Sequence, residues 1–248
     1  MKFVVFDTET TSLDKPFCYN IGYVIADENG EIYAQKDFVV EQIWHNLPLF
    51  STAYYAEKRP IYVDRMRKHL VIMNKFGYIC QEMKRDFRKF EVEKAFAYNS
   101  SFDEKVFDFN CDWFKCINPF EEIEISDIRG FVCNFLIDED YRNFCEKNER
   151  FTDTGNYSTT AETIFQFICN NNEFEEEHTA LSDSKIELQI LYYCSQKGAK
   201  ISQNYPILRS VKREVEKTLT LITREKDELF FYFRNMTISK NRTKIILK

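Results

Sequence analysis

The chain has 248 residues, enough for one sizeable domain with a full core, or for one domain with an appendage. Its 24 Phe, 14 Tyr and 2 Trp, beside only 6 Gly and 5 Pro, exclude a disordered or fibrous chain. The net charge of −6 argues weakly against a polyanion partner until it is divided along the chain: positions 197–248 hold 13 Lys/Arg against 5 Asp/Glu, and positions 58–94 hold 11 against 5.

The acids gather instead in EEIE (121–124), IDED (137–140) and EFEEE (173–177). An acidic body with two basic segments is compatible with a polyanion partner, although ordinary solvated surface accounts for each segment taken alone. The eight Cys form no CxxC and no Cys/His ligand pair, and the start MKFVVF has neither a basic leader nor a long apolar stretch. No run of 18 apolar residues occurs. The expectation is a cytoplasmic protein with reduced, mostly buried thiols and no membrane partner.

Taken in chain order, residues 2–7 read as a strand of nearly continuous Val and Phe, the pattern of a sheet covered on both faces. Segments 19–27 and 31–40 read as strands joined by the turn Asp27-Glu28-Asn29-Gly30. Residues 61–70 and 72–90 read as helices, the second with Ile72, Phe76, Ile79, Met83 and Phe87 near a 3.6 period. Residues 95–98 form a short buried strand, 101–109 open a helix, and 126–136 continue as a strand end or helix start. Thr159 and Glu162 have capping-box spacing before a helix to about Cys169, and 180–197 form a last helix closed by Gly198. Antiparallel strands followed by strand–helix alternation mean an α/β domain with a mixed sheet.

Three clusters stand at strand ends or helix starts: Asp7-Thr8-Glu9, Asn99 to Asp103, and His178 with Asp183. Each has an ordinary reading alone, since Asp103 can cap a helix, His178 can be a loop residue, and Asp183 suits a helix N-terminus. Their conjunction is different, because one sheet can bring all of them to a common edge. Four carboxylates there would repel and partly protonate unless cations held them. Oxygen donors without Cys suit Mg²⁺ or Mn²⁺. Two such ions can clamp the attacking and leaving oxygens of a phosphodiester, and a histidine near neutral pKa can take the proton from water.

FDTETTSL, AYNSSFD and HTALSD resemble the three motifs of the DEDDh group of DnaQ-like 3′–5′ exonucleases, over roughly residues 1–196. The resemblance implies a ribonuclease-H-like three-layer domain with a mixed five-stranded sheet. It further implies that Asp7, Glu9, Asp103 and Asp183 bind two divalent metal ions, with Asp7 bridging and His178 as general base. Thr10, Thr11 and Leu13 would cradle the 3′-terminal nucleotide, with Asn99 and Phe102 in the same cleft. Two departures, Ser12 where the family commonly has Gly and Tyr98 before Asn99 where it often has His, touch substrate contacts rather than metal ligands.

The expectation is therefore an exonuclease domain, 1–196, that removes nucleoside 5′-monophosphates from a single-stranded nucleic-acid 3′ end, with DNA favoured. Alternatives are an enzyme trimming RNA 3′ ends, a non-catalytic binding module, and a proofreading subunit beside a polymerase or other protein partner. The basic extension, 197–248, alternates in 217–223, 228–239 and 243–248, which predicts a small antiparallel sheet. Its cations and the aromatics Phe230, Phe231, Tyr232 and Phe233 suit a tether for the incoming strand, although the aromatics also suit simple packing.

Overall fold

The computed structural model describes residues 1–213, 221–223 and 229–231. Two compact units result, Met1–Val211 and Lys212–Lys248.

In the first unit, strands β1 (Lys2–Thr10), β2 (Cys18–Asp27) and β3 (Ile32–Val40) form an antiparallel meander. The turn after β2 is the expected one: Asp27 accepts from the Asn29 and Glu31 backbone N–H groups, and Gly30 takes φ +92°. Short helices α1 (Glu41–Trp44) and α2 (Leu47–Phe50) lead to α3 (Arg59–Arg67), β4 (Ile72–Asn74) and α4 (Phe76–Phe90). Then come β5 (Lys94–Ala97), α5 (Ser100–Phe114), β6 (Glu124–Asp127), α6 (Ile128–Phe135) and α7 (Glu139–Lys147). Helices α8 (Ala161–Cys169) and α9 (Ala180–Gln196) complete the order.

The sheet runs β4-β3-β2-β1-β5-β6, with β4, β5 and β6 added in parallel pairings. It has six strands, not the five expected. The extra strand is β4: Ile72 to Asn74 pair with Phe38 to Val40, so the helix expected from residue 72 starts only at Phe76. An open strand edge offers backbone donors and acceptors that outweigh the helical spacing of Ile72. The 126–136 segment contains both alternatives, a strand ending at Asp127 and a helix starting at Ile128.

Side chains alternate across β1. Val4 and Phe6 face a core shared with α4 and α5, while Phe3 and Val5 face one shared with α6, α8 and α9. Covering both faces explains the unbroken apolar run of the first strand. The cap of α8 is Thr160, which accepts from Thr163 N–H, rather than the Thr159–Glu162 box; Glu162 falls one position too early for that exchange. The acidic IDED stretch supplies another cap, with Asp138 accepting from Tyr141 N–H at the start of α7.

Residues 199–211 belong to the first unit, with Ala199, Ile201 and Val211 buried in its second core. Buried Lys94 donates to Asn204 Oδ1 at 2.7 Å and to Ser202 O at 3.4 Å, and Ser126 Oγ donates to the same Asn204 oxygen. A Cβ at Gly130 would strike the Tyr205 carbonyl. In the second unit, β7 (Leu221–Thr223) and β8 (Leu229–Phe231) pair antiparallel. The strand expected at 243–248, most of those expected at 217–223 and 228–239, and Lys240, Arg242 and Lys244 lie outside the described residues. No helix among the described residues is long and apolar enough to cross a membrane.

Candidate active site

Strand β1 continues through its acids to Thr10, paired with β2 throughout, so Asp7 and Glu9 leave one face of a central strand. Asp7 pairs with Gly22 of β2. A Cβ at Gly22 would overlap the backbone of Ala180 and Leu181, so the missing side chain lets the start of α9 lie against the strand. Ser184 Oγ donates to the Gly22 carbonyl at 3.1 Å and holds that contact. Asp183 is thereby brought to β1, and carboxylate oxygens of Asp7, Glu9 and Asp183 lie within 4.8 Å of one another.

Asp103 arrives from the first turn of α5. Its Oδ1 accepts from Thr8 Oγ1 at 2.6 Å, the residue between the two strand acids. Asp127 caps this helix from outside, accepting from the N–H groups of Asn99 and Ser100. Asn99 itself takes the left-handed conformation, φ +61°.

None of Asp7, Glu9, Asp103 or Asp183 forms an ion pair among the described residues. Burial raises Asp7 to about 7, opposed by a hydrogen bond from Thr8. Burial, then Asp7 and Glu176, raise Asp183 to about 9. Glu9 and Asp103 are raised for the same reasons, burial first and neighbouring carboxylates second. Asp183 Oδ1 is buried and has no hydrogen-bond partner among the described residues. An orphaned carboxylate oxygen within a cluster of repelling carboxylates is the donor set a hard divalent cation satisfies.

His178 is held at the rim. Its backbone is left-handed, φ +52°, a conformation that costs a non-glycine residue free energy and is held by its surroundings. The ring stacks on Tyr55 at 4.2 Å, and Nδ1 lies 3.7 Å from Glu176. The next residue, Thr179, accepts from Arg65 at 2.8 Å, and Arg65 also reaches Asp37 and Glu177. Asn20 ties the same loop to the sheet: its Oδ1 accepts from Ala180 N–H and Tyr62 Oη, and its amide donates to Asp37 and Phe38. Burial and the charge of Lys58 lower the His178 pKa, so the imidazole is neutral at pH 7.

The expected nucleotide contacts are more scattered. Thr11 is buried and donates its N–H to Phe17 O, closing the loop in which Thr10 Oγ1 bonds Ser12 O. Leu13 is 76% exposed, with its carbonyl held by Lys105. Asn99 is exposed, and Phe102 is half-buried against the first core.

Sequence reasoning missed several neighbours. Glu187, one turn beyond Asp183, is buried, accepts from Tyr98 N–H at 3.3 Å, and has its pKa raised by burial and then by Asp7, Asp103 and Asp183. An acid four residues after Asp183, on the same face of the helix, was the available signal. Glu176 and Glu162 gather with His178 within 4.8 Å, and Glu176 is raised to about 7 by burial and by Glu162. Tyr55 comes from a loop with no motif, and Lys58 opens the basic 58–94 segment without any local sign that ties it to the carboxylates.

In sequence the chain matches no protein-family model and no curated protein. In structure it is similar to the nuclease domain of 3′hExo, a DEDDh family member bound to rAMP, with TM-score 0.55 and 15% identity over 85% of this chain and 97% of that one. The chain has the fold of a DEDDh exonuclease domain. E. coli exonuclease I in complex with a dA16 oligonucleotide matches with TM-score 0.46 and 14% identity, over 76% of this chain. The complex with dT13 gives 0.47 and 13% over 79%. The aligned part spans about two fifths of exonuclease I, 39% and 41% in the two complexes.

Proposed function

We propose that this chain is a metal-dependent 3′–5′ exonuclease that releases nucleoside 5′-monophosphates from single-stranded ends. The observation that carries the reading is the meeting of Asp7, Glu9 and Asp183 within 4.8 Å around a buried, unpartnered carboxylate oxygen, with Asp103 one hydrogen bond away through Thr8. These four residues would hold two divalent cations, Mg²⁺ or Mn²⁺. When bound, such ions supply charge to the phosphoryl oxygens and favour hydroxide over water.

The chain's own groups do the rest. His178 has Nδ1 turned to Glu176, which leaves Nε2 to accept the proton of the attacking water. Stacking on Tyr55 fixes the ring plane, burial and then Lys58 disfavour its protonation, and Lys58 attracts the phosphate. The water oxygen bonds to phosphorus, the P–O3′ bond breaks, the 3′ oxygen of the penultimate nucleotide leaves with the bonding pair and takes a proton from solvent, and a nucleoside 5′-monophosphate is released. Leu13, Thr10, Thr11, Asn99 and Phe102 are assigned to the terminal nucleotide. The rAMP bound to the 3′hExo domain belongs to the class of product expected here.

A time course on 5′-labelled single-stranded and duplex DNA and RNA, with Mg²⁺ or Mn²⁺, tests the reading. A ladder shortening from the 3′ end and abolished by EDTA is expected, faster on single-stranded DNA. Endonucleolytic fragments, or degradation that persists in EDTA, would refute it. We assign the basic extension, 197–248, to holding the longer strand. Charge reversal of Lys240, Arg242 and Lys244 should then slow long substrates while sparing dinucleotides.

A further inference from the structure

Helix α5 carries a second cluster at its other end. Cys80 of α4, Cys111 of α5 and Cys116 just beyond it have no ligand spacing in the sequence, yet their sulfur atoms lie within 4.8 Å of one another. The turn responsible is visible. Lys115 caps α5 in the left-handed conformation, φ +53°, and Cys116 N–H donates back to the Cys111 carbonyl at 3.0 Å. That reversal lays Cys116 over α4, where Gly77 leaves room for it: a Cβ there would come 3.3 Å from the Cys116 Cβ.

The three thiols differ in access. Cys80 and Cys111 are buried, whereas Cys116 is half-exposed and, with Cys111, lines a surface cleft of about 610 Å³. Asp108 and Asp112 line the same cleft, and the carbonyl end of α5 points its partial negative charge there. Hydrogen bonding among the three thiols, chiefly between Cys80 and Cys116, lowers Cys116 against its burial and raises Cys80.

We propose that Cys80, Cys111 and Cys116 form a three-thiolate site for a thiophilic divalent cation, Zn²⁺ foremost, with its remaining position open to the cleft. Three sulfur donors without imidazole or carboxylate select a soft or borderline ion over Mg²⁺, Ca²⁺ and Mn²⁺. Binding forms three metal–sulfur bonds, releases to solvent whatever thiol protons remain, and leaves every oxidation state unchanged. The ion would fasten α4 to the far end of the helix whose first turn carries Asp103. The donor chemistry keeps this site distinct from the carboxylate centre, where hard oxygen donors meet.

The test is a Cd²⁺ titration of the full chain, reduced and metal-free, in millimolar Mg²⁺ to occupy the carboxylates. Sulfur-to-metal charge-transfer absorption should grow to an end point at one ion per chain. The same band should appear when Cd²⁺ is added to the Zn²⁺-loaded chain, because the softer ion displaces Zn²⁺ from thiolates. C80S and C116S should lose the band, whereas C169S, at an exposed cysteine, and D7N should keep it. Circular dichroism of each variant confirms that folding is retained, and C116S, half-exposed, is the variant least demanding of the core. Absence of the band at one equivalent in the wild type, or its persistence in folded C116S, would overturn the proposal.

Discussion

Asp7 and Glu9 ride on a central strand paired on one side with β2 and on the other with β5, whereas His178 sits in a left-handed conformation on a loop. Moving either acid requires breaking sheet register; moving the histidine requires only releasing the Tyr55 stack and the loop bonds made by Arg65 and Asn20. In the proposed reaction the two groups face different tasks. Repelling carboxylates must be held at short range against their own electrostatics, and only a rigid element can do that. A proton acceptor must meet its water in the bound complex, and an adjustable position serves it.

The sharpest way to break this comparison is to remove an acid. Asp7→Asn or Asp183→Asn should lower hydrolysis by at least about 10⁴-fold, because each deletes charge needed to hold the cations, whose contribution is worth several kcal/mol. Calorimetric titration with Mn²⁺ should show weakened binding in the same variants. Full activity in either variant would mean that the cluster is structural.

His178→Ala should cost about 10²–10⁴-fold in rate, with Mn²⁺ affinity and melting temperature nearly unchanged. In the wild type, single-turnover rates should rise with pH along an acid limb below about 6.5, since burial and Lys58 depress the imidazole pKa. A variant that keeps both the rate and that limb would make the histidine a bystander.

The smallest expected effect is thermal, and it separates the two groups by sign. The strand and helix acids have folded pKa values raised to about 7 for Asp7 and about 9 for Asp183, above an unfolded value of about 4. Between those limits the unfolded chain gives up its protons first, so stability in EDTA should fall as pH rises from 5 to 9. His178, with its pKa depressed, acts oppositely: its contribution is lost as pH falls below about 6.5. Mn²⁺ at pH 8 should restore at least about 5 °C of melting temperature, because a ligand that binds only the folded chain stabilises it. A flat melting profile in EDTA, indifferent to Mn²⁺, would contradict the charge accounting.

The meeting of the acids at this candidate site is largely legible in the sequence. An apolar strand ending in Asp7-x-Glu9, and acids at the starts of two helices, carry their positions in local pattern, because strand and helix-start signals are local. What escaped was set by long-range packing. Strand β4 formed because β3 had an open edge, against the helical spacing of Ile72. The cap of α8 moved to Thr160, one residue from the spacing rule. Lys58, Tyr55 and the sulfur trio meet their partners only after the sheet is assembled, and no spacing within the chain encodes that.

The Lys94 clamp has a practical consequence. A fragment ended at Gln196, where the last helix stops, would strip Asn204 and the Ser202 carbonyl from a buried amine and uncover the groove that Tyr205 fills beside Gly130. Strand β6, the last of its sheet, would lose the Asn204 side chain that bonds both Glu124 and Ser126. Such a fragment should be prone to edge-to-edge aggregation however intact its catalytic groups, whereas one ended at Val211 retains the whole clasp.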